Sequence, residues 1–380
     1  MFTCPPILPY FTPLPALTLQ GEANLGIPAW LAAVEADLDK ALASGTPIRQ
    51  VVMGRCCAID SMMEALFELY ELDQTDLTLF ATGGYGRGEL HPFSDVDLLL
   101  LSPNPIDEAL NQKISPFVAR LWDIGIDPAL VVRSVEECDE ACHDDITVAT
   151  SLLEARILAG NVAQAGLPMQ LLNKNWSQTK FYEAEMAEAK ARYVKHNSTE
   201  YNLEPDLKNA PGGLRDIHTV SWISKRYFRV TNLFGLVQQE FITEKEFDEL
   251  QEAEDFLWLI RHHLHKIAKR NENRVLFDYQ RLIAERIGYR DNSHPNAAVE
   301  QFMRDYYRYA MSNSTLSEML TQHYYETLIE ARLPDEQRPM HKVINERFKL
   351  VGDRIAVTHT RVFAQHPTAI LEMFLLMGQQ

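Results

Sequence analysis

Hydrophobic residues recur along this chain with two different periods, and these periods predict where helices and strands lie. Between residues 28 and 70 the apolar side chains follow the spacing of helical turns, which predicts two helices separated near Gly45-Thr46-Pro47. Three short apolar runs rich in strand-forming residues predict strands, at 77–82, 96–101 and 128–135. A short helix is predicted to begin near Tyr85, and a longer one to cover 106–124.

Beyond Glu136 the pattern becomes almost entirely helical. Helices are predicted at 146–159, 181–196, 216–228, 244–269 and 297–331, and the main interruption is a loop at 198–215. The pattern predicts an α+β fold, in which a small mixed sheet with helices precedes an all-helical domain. We divide the chain into an N-terminal arm and helices (1–75, the arm covering 1–19), a core (76–140) and a helical domain (141–380).

Composition narrows the class of protein. The chain has 380 residues, 46% hydrophobic and 23% charged, as expected for a globular protein of two or three domains. Its 53 acidic and 36 basic residues give a formal net charge of −17, which disfavours nonspecific binding to nucleic acid. No apolar run approaches the ~20 residues that span a bilayer, and the N-terminus lacks the basic start of a signal peptide. We therefore expect a cytoplasmic protein with no membrane partner.

The glycine-rich segment at 80–101 is the most informative part of the sequence, and three interpretations compete for it. A dinucleotide-binding fingerprint, G-x-G-x-x-G, starts with Gly84 and Gly86 but has Glu89 in place of its last glycine. A P-loop has the right spacing in Gly83 and Gly88, but Glu89 stands where the motif requires lysine. Both interpretations therefore fail at a required residue.

The third interpretation uses a glycine turn together with a pair of aspartates. Strand alternation places Asp95 and Asp97 on one face of a strand, with carboxylates within roughly 7 Å of each other. Two like charges so close favour a hard divalent cation such as Mg²⁺ between them. Gly83 and Gly84 allow backbone N–H groups to approach a phosphate, and Arg87 adds a positive charge. A magnesium site beside a phosphate cradle indicates phosphoryl or nucleotidyl transfer.

This arrangement of glycine turn, spacer and Asp-x-Asp strand resembles the DNA polymerase β-type nucleotidyltransferase superfamily. The resemblance covers about residues 77–135 and implies a polymerase β-like core in which Asp95 and Asp97 hold two metals. It implies that Gly83 and Gly84 bind the nucleotide phosphates, and we include Arg87 and Ser94 among the nucleotide-binding residues.

The superfamily takes a third carboxylate from a later strand, and two residues compete for this role. Asp127, just before the third predicted strand, fits the position best, although Pro128 follows it where an apolar strand residue is usual. Glu154, in the next predicted helix, is the alternative. We assign Asp127 as the third catalytic carboxylate, and either residue is otherwise an ordinary surface acid.

A narrower resemblance covers nearly the whole chain. Four segments are similar to the uridylyltransferase/uridylyl-removing enzyme family: GGYGRGEL (83–90), SDVDLL (94–99), YNLEPDLK (201–208) and PGGLRDIH (211–218). That family regulates nitrogen metabolism by modifying the PII signalling protein. The resemblance implies two-metal transfer of UMP from UTP to a PII tyrosine hydroxyl with release of pyrophosphate, using Mg²⁺ with Mn²⁺ possible.

The resemblance also sets expectations about what this chain lacks. The hydrolase and ACT domains of the family are expected to be absent from residues 1–380, so we do not expect uridylyl-removing activity. Two alternatives remain open: an adenylyl- or other nucleotidyltransferase acting on a different protein or a small molecule, and a nucleotide-sensing module without turnover. Intact Asp95 and Asp97 disfavour the sensing module.

Two further groups of residues admit a structural and a functional interpretation. Arg215 and Asp216 stand at a predicted helix start, where they form either a cap with a buried ion pair or part of a loop that closes over the nucleotide. His262, His263 and His265 lie in one predicted helix. Because neighbouring helical residues face different directions, we expect a partly exposed polar face there rather than a metal cluster.

Overall fold

The computed structural model describes residues 26–196, 199–291, 294–333, 341–352, 354–359 and 361–378. The chain divides into two compact units, Met1–Glu318 and Met319–Gln380. The predicted N-terminal arm at 1–19 lies outside the described residues.

Two helices open the first unit, as the apolar period predicts. They are α1 (Ile27–Ala43) and α2 (Ile48–Leu69), and they are separated at Gly45, whose φ of +92° favours glycine. The C-terminal half of α2 packs against the sheet through Met62, Leu66 and Phe67. Its N-terminal half joins the core of the helical part, so α2 connects the two regions.

A four-stranded mixed sheet forms the centre of the unit. Its strands are β1 (Thr78–Ala81), β2 (Val96–Ser102), β3 (Pro128–Ser134) and β4 (Arg156–Gly160), in the order β3-β2-β1-β4. β2 pairs with β3 in parallel, and β1 pairs with both β2 and β4 in antiparallel orientation. Between β1 and β2 lies a single helical turn, α3 (Gly83–Gly86), and between β2 and β3 lies α4 (Glu108–Asp123). The three predicted strands and the helices between them are confirmed.

Strand β4 corrects the predicted helix at 146–159. The helix ends at Leu153, as α6 (Ile146–Leu153), and residues 156–160 instead pair with β1. The short apolar run at 157–159 fits either period, and only hydrogen bonds to a strand some 75 residues earlier make it a strand. The proposed division of domains at residue 140 remains a prediction, and the sheet itself extends to Gly160.

The two faces of β2 pack in different hydrophobic cores, and this determines the face on which Asp97 lies. Val96, Leu98 and Leu100 pack with α2 and α4. Leu99 and Leu101 face the opposite side, where they pack with α5 (Val135–Asp144), α6 and α7 (Leu167–Asn175). Asp97 belongs to this second, odd-numbered face because side chains alternate along a strand.

Further helices complete the unit and, with the sheet, confirm the α+β class. Their bounds are α8 (Gln178–Lys195), α9 (Leu214–Phe228), α10 (Phe234–Gln238), α11 (Glu244–Ala268), α12 (Phe277–Ile287) and α13 (Ala297–Tyr324). The loop between α8 and α9 pairs with the segment after α11, through an isolated bridge between Asp206 and Arg274. None of the described helices is both long and apolar enough to cross a membrane.

The second unit contains a sheet that the helical pattern did not predict. The antiparallel strands β5 (His341–Val343), β6 (Phe348–Val351) and β7 (Arg354–Val357) are followed by α14 (Val362–Gln365) and α15 (Ala369–Met377). A small core forms around Phe348, Val362 and Ala369. Strands of three or four residues are too short to display a clear period, which explains why they were missed.

Candidate active site

The turn at Gly83 and Gly84 follows β1 and packs directly against Asp97 in β2. Gly83 has a φ of +53°, in the left-handed region that glycine adopts most readily. A Cβ at this position would lie 2.5 Å from Asp97 Oδ2, so a side chain here would displace the carboxylate. The Gly84 N–H donates a hydrogen bond to Asp97. The turn and the aspartate therefore form one structural unit.

Asp95 and Asp97 have different surroundings. Asp95 is exposed immediately before β2, and its Oδ1 accepts a hydrogen bond of 2.9 Å from Asn271 Nδ2. Asp97 is half-buried, and burial together with the negative charge of Asp95 raises its pKa. Nearby positive side chains and the Gly84 hydrogen bond oppose that rise. The two carboxylates repel each other, and a bound cation would relieve this repulsion.

Ser94 and Asp127 lie at the same end of the sheet. Ser94 Oγ is buried and has no hydrogen-bond partner within the described residues, so it can accept a ligand contact. Asp127 is exposed just before β3, and its backbone C=O accepts a hydrogen bond of 2.8 Å from the Val96 N–H. In the described part of the chain, no three His, Cys, Asp or Glu side chains are grouped as metal ligands. The role of Asp127 as third carboxylate therefore stays a prediction.

Arg87 is held by two carboxylates behind the glycine turn. Its Nε lies 2.9 Å from Glu89 Oε1, and its Nη1 lies 2.6 Å from Glu154 Oε1. Trp222 Nε1 also donates to Glu154, and Nη2 of Arg87 lies 3.7 Å from the position of a Gly84 Cβ. The guanidinium is thus fixed by Nε and Nη1 while Nη2 points toward the turn. Glu154, the alternative third carboxylate, is engaged in this buried network.

A cavity of about 430 Å³ opens beside Asp97. It lies between α6 and the β2–β3 pair, and its polar lining comes from Thr82, Arg133, Thr147 and Ser151. Its apolar lining includes Ala129, Val131 and Leu152. A cavity of this volume, mostly apolar with a few polar groups, is typical of small-molecule sites.

Lys208 and Asn271 reach the aspartates from the helical part, and the sequence did not identify either of them. Lys208 is half-buried, and its positive charge opposes the raised pKa of Asp97. It lies in the segment 201–208, which carried the family resemblance, so the motif pointed to it without giving a role. Asn271 carries no such signal because a lone asparagine after a helix is a common turn residue.

Asp216 is part of a buried ion pair that holds the loop before α9. Its Oδ1 lies 3.0 Å from Arg192 Nη2, and its Oδ2 accepts a hydrogen bond of 2.7 Å from the Gly212 N–H. Asn313 Nδ2 donates to the Gly212 carbonyl at 2.9 Å. The structural interpretation is confirmed for Asp216, although the N-cap residue of α9 is Gly213.

The histidines of α11 are more buried than predicted. His262 and His265 are 1% and 0% exposed, so the expected partly exposed polar face is wrong for them. His265 Nδ1 lies 2.5 Å from the Pro92 carbonyl oxygen, and His262 Nε2 lies 3.6 Å from Asp39 Oδ1. Packing of α11 against α1 and against the segment before β2 buries them.

Two segments of the chain match known protein families. Residues 62–148 match the nucleotidyltransferase domain family, and they include the glycine turn and both aspartates. Residues 180–321 match the family described as GlnD PII-uridylyltransferase, and they include Lys208, Arg215 and Asn271. Each segment thus contributes side chains to the site around Asp97.

Curated relatives match the chain over most or all of its length. It is 61% identical over 384 residues to the bifunctional uridylyltransferase/uridylyl-removing enzyme of Psychrobacter sp. (strain PRwf-1), covering 100% of this chain and 43% of that protein. The enzyme of the same name from Acinetobacter baumannii (strain AYE) is 47% identical over 354 residues, covering 92% of this chain and 40% of that protein. The chain therefore spans about two fifths of the length of these relatives. Over its whole length the chain is similar to the bifunctional uridylyltransferase/uridylyl-removing enzymes, and its residues 62–148 are similar to nucleotidyltransferase domains.

Proposed function

We propose that this chain transfers UMP from UTP to a tyrosine hydroxyl of the PII signalling protein, with release of pyrophosphate. The observation that carries the proposal is the contact between Gly83 and the Asp97 carboxylate, beside a cavity of about 430 Å³. The choice of UTP and PII rests on the relatives, which are named uridylyltransferases, and on the family matched by 180–321.

The two aspartates suit a divalent cation. Asp95 and Asp97 offer carboxylate oxygens, the ligands that Mg²⁺ prefers, and the charge of Asp95 already raises the pKa of Asp97. Mg²⁺ in proteins is commonly held by one or two carboxylates plus substrate phosphates, so a third protein ligand is not essential. We propose that these residues hold Mg²⁺, with Mn²⁺ as an alternative and Asp127 as an additional ligand. When bound, the metal polarises the α-phosphate and lowers the pKa of the attacking hydroxyl.

The reaction in this proposal is a single displacement at the α-phosphorus of UTP. The tyrosine oxygen forms a bond to that phosphorus, and the bond from the phosphorus to the oxygen bridging the α- and β-phosphates breaks. The electron pair leaves with pyrophosphate, and the hydroxyl proton is released to solvent. Gly83 and Gly84 permit the close approach of the phosphates, Arg87 Nη2 and Ser94 Oγ contribute donors, and Asp97 is kept in place by the turn.

The test is to incubate the chain with Mg²⁺, PII and UTP labelled either in the α-phosphate or in the γ-phosphate. We expect the α-label on PII and the γ-label in pyrophosphate. A matched reaction with ATP distinguishes an adenylyltransferase, which would transfer the AMP label instead. Binding of UTP without any transfer would indicate the nucleotide-sensing alternative and contradict the proposal. A parallel incubation with uridylyl-PII measures any release of UMP.

A further inference from the structure

Three buried or half-buried cations of the helical part lie near the site: Lys208 interacts electrostatically with Asp97, Arg261 with Asp95, and Arg215 with Arg87. They are Lys208 in the loop after α8, Arg215 in the first turn of α9, and Arg261 in α11. Within the residues that the structure describes, no carboxylate lies within 4 Å of any of their side-chain nitrogens. Arg87, by contrast, has two such carboxylates. The three therefore carry positive charge that the described residues do not neutralise by direct ion pairs.

Backbone hydrogen bonds place Lys208 and Arg215 side by side. The Arg215 N–H donates a hydrogen bond of 2.8 Å to the Lys208 carbonyl, so the backbones of the two residues are adjacent. Asp206 Oδ1 accepts from the Lys208 N–H at 2.8 Å and fixes the loop on the other side. The main chain at Lys208 and Arg215 is thus held in place by hydrogen bonds within the protein.

Asn273 connects this loop to Arg261. Its carbonyl accepts a hydrogen bond of 2.8 Å from the Leu207 N–H, and its side-chain Oδ1 accepts one of 2.8 Å from Arg261 Nε. Two residues earlier, Asn271 donates to Asp95. A single segment therefore links the cations of the helical part to the aspartates at the start of β2.

The positive charges of these three side chains are electrostatically unfavourable, as their lowered pKa values indicate. Burial and repulsion by Arg261 and Arg215 lower the pKa of Lys208 to about 8, and the attraction of Asp97 does not offset this. Burial also lowers the pKa of Arg261 to about 10. Burial and repulsion by Arg87 likewise lower the pKa of Arg215. Its guanidinium carbon lies over the Trp222 ring, 5.2 Å from the ring centroid. Buried charges without direct partners destabilise a fold, and they concentrate at sites where a ligand supplies the opposite charge.

We propose that Lys208, Arg215 and Arg261 bind the β- and γ-phosphates of the nucleotide and neutralise the leaving pyrophosphate. The inference rests on the proposed function and deepens it, because it assigns half of the phosphate site to the helical part. Negative charge grows on the bridging oxygen as its bond to the α-phosphorus breaks, so fixed cations there lower the barrier as well as binding the substrate. The two segments that match separate families would then complete one active site together.

The test measures binding of inorganic tripolyphosphate, with and without Mg²⁺, by titration calorimetry. We expect Lys208→Gln and Arg215→Gln each to weaken binding by about tenfold or more, the loss typical of one charged hydrogen bond. Lys208→Arg keeps the charge and should retain most of the affinity. The matched control is Lys225→Gln: Lys225 is also half-buried with a lowered pKa, but its charged neighbours are Glu154, Arg87 and Glu89. It should change the affinity by less than about twofold.

Thermal unfolding distinguishes a variant that has lost binding from one that fails to fold. Since Lys208→Gln removes a half-buried charge that no direct ion pair neutralises, the free variant should melt at the same temperature as the parent or higher, and tripolyphosphate should stabilise it less. Parent-like binding by Lys208→Gln and Arg215→Gln, an equal loss in Lys225→Gln, or a parent chain that does not bind tripolyphosphate would each overturn the inference. A chain that binds tripolyphosphate through these residues but transfers no UMP contradicts only the proposed function. Transfer with parent-like kcat and KM in Lys208→Gln contradicts only the inference.

Discussion

Gly83 leaves no room for a Cβ atom because the Asp97 carboxylate occupies that space, with Oδ2 2.5 Å from where the Cβ would be. The contact explains why the chain needs glycine here for two separate reasons, the φ of +53° and the close approach of a functional side chain. It also means that a substitution at 83 acts on Asp97 directly.

Gly83→Ala should therefore reduce transfer far more than its effect on stability suggests. The left-handed backbone costs about 1–2 kcal/mol for alanine, and the Asp97 carboxylate must rotate away from its position. We expect UMP transfer to fall by about a hundredfold or more, since displacement of a catalytic group by 1 Å has effects of this size. Urea unfolding and initial rates measure the two effects.

The control for this substitution is Gly125→Ala. Gly125 has a φ of +82°, and no neighbouring atom lies within 4 Å of its Cβ position. It should lose similar stability and keep parent activity. Equal losses of activity in both variants would mean that backbone strain, and not the contact with Asp97, controls transfer.

Asp97→Asn and Asp95→Asn should each abolish transfer while leaving the fold intact. Each removes one carboxylate charge with little change in volume, and the expected loss is about a thousandfold or more if metal polarisation contributes several kcal/mol. Rates at saturating Mg²⁺ test this expectation. Near-parent transfer by either variant would rule out the assignment of both aspartates as metal ligands.

The raised pKa of Asp97 gives a second, independent readout for the asparagine variant. Because the folded state raises this pKa above its ordinary value of 3.8, ionisation of Asp97 disfavours folding. This penalty is absent below pH 3.8 and complete once the pH exceeds the folded-state pKa. Asp97→Asn should thus be at least as stable as the parent near neutral pH, with the difference shrinking on acidification. A variant that is less stable at neutral pH would contradict the repulsion inferred between the two aspartates.

Glu154→Gln should destabilise the chain. This effect distinguishes Glu154, a structural residue, from Asp127, which we propose as a metal ligand. Glu154 is 5% exposed and pairs with Arg87 at 2.6 Å, and removing one partner of a buried ion pair costs about 3–5 kcal/mol. Asp127→Asn should instead leave stability within about 0.5 kcal/mol, because Asp127 is exposed. The Asp127→Asn variant should also show a weaker dependence of UMP transfer on Mg²⁺.

A suitable reference for the Glu154 measurement is Glu285→Gln. Glu285 pairs with Arg281 across a surface where both side chains are 57% exposed, and such pairs contribute about 1 kcal/mol at most. Equal losses of stability in the two variants would show that the Arg87 network is no stronger than a surface pair. Loss of Mg²⁺ dependence in Glu154→Gln, without loss of stability, would reverse the assignment of the third carboxylate.

The buried histidines predict loss of stability in mild acid. Burial lowers the pKa of His265 to about 3, so its neutral form is favoured by the fold. Its contribution is complete above pH 6.5 and is lost progressively as the pH falls from 6.5 toward about 3. The slope approaches about 1.4 kcal/mol per pH unit for this residue.

Urea unfolding at several pH values between 4 and 7 measures that slope. His265→Gln should be less stable than the parent near pH 7 but show a smaller pH dependence. His143→Gln, on an exposed part of α5, should leave the slope unchanged. An unchanged slope in His265→Gln would mean that other groups control the acid sensitivity.

Local patterns in the sequence were sufficient for the elements that carry the aspartates. The helices α1 and α2, the strands β1, β2 and β3, and the glycine turn follow from residues that are neighbours along the chain, since side-chain period and glycine conformation are local properties. The prediction that Asp95 and Asp97 point to the same face follows from the same alternation of side chains. For this reason the motif could be identified, and its chemistry predicted, without coordinates.

Tertiary structure alone decided which distant groups meet at those aspartates. β4 is a strand because of hydrogen bonds to β1, and Arg87 is held by Glu154 from the end of α6. Lys208 reaches the site because its loop pairs with Asn273, about 65 residues later. Burial and electrostatic repulsion depend on these long-range contacts, and no local period encodes them. The sequence by itself therefore determined the aspartate strand and the glycine turn, whereas the fold decided how the helical part faces them and which charges it brings there.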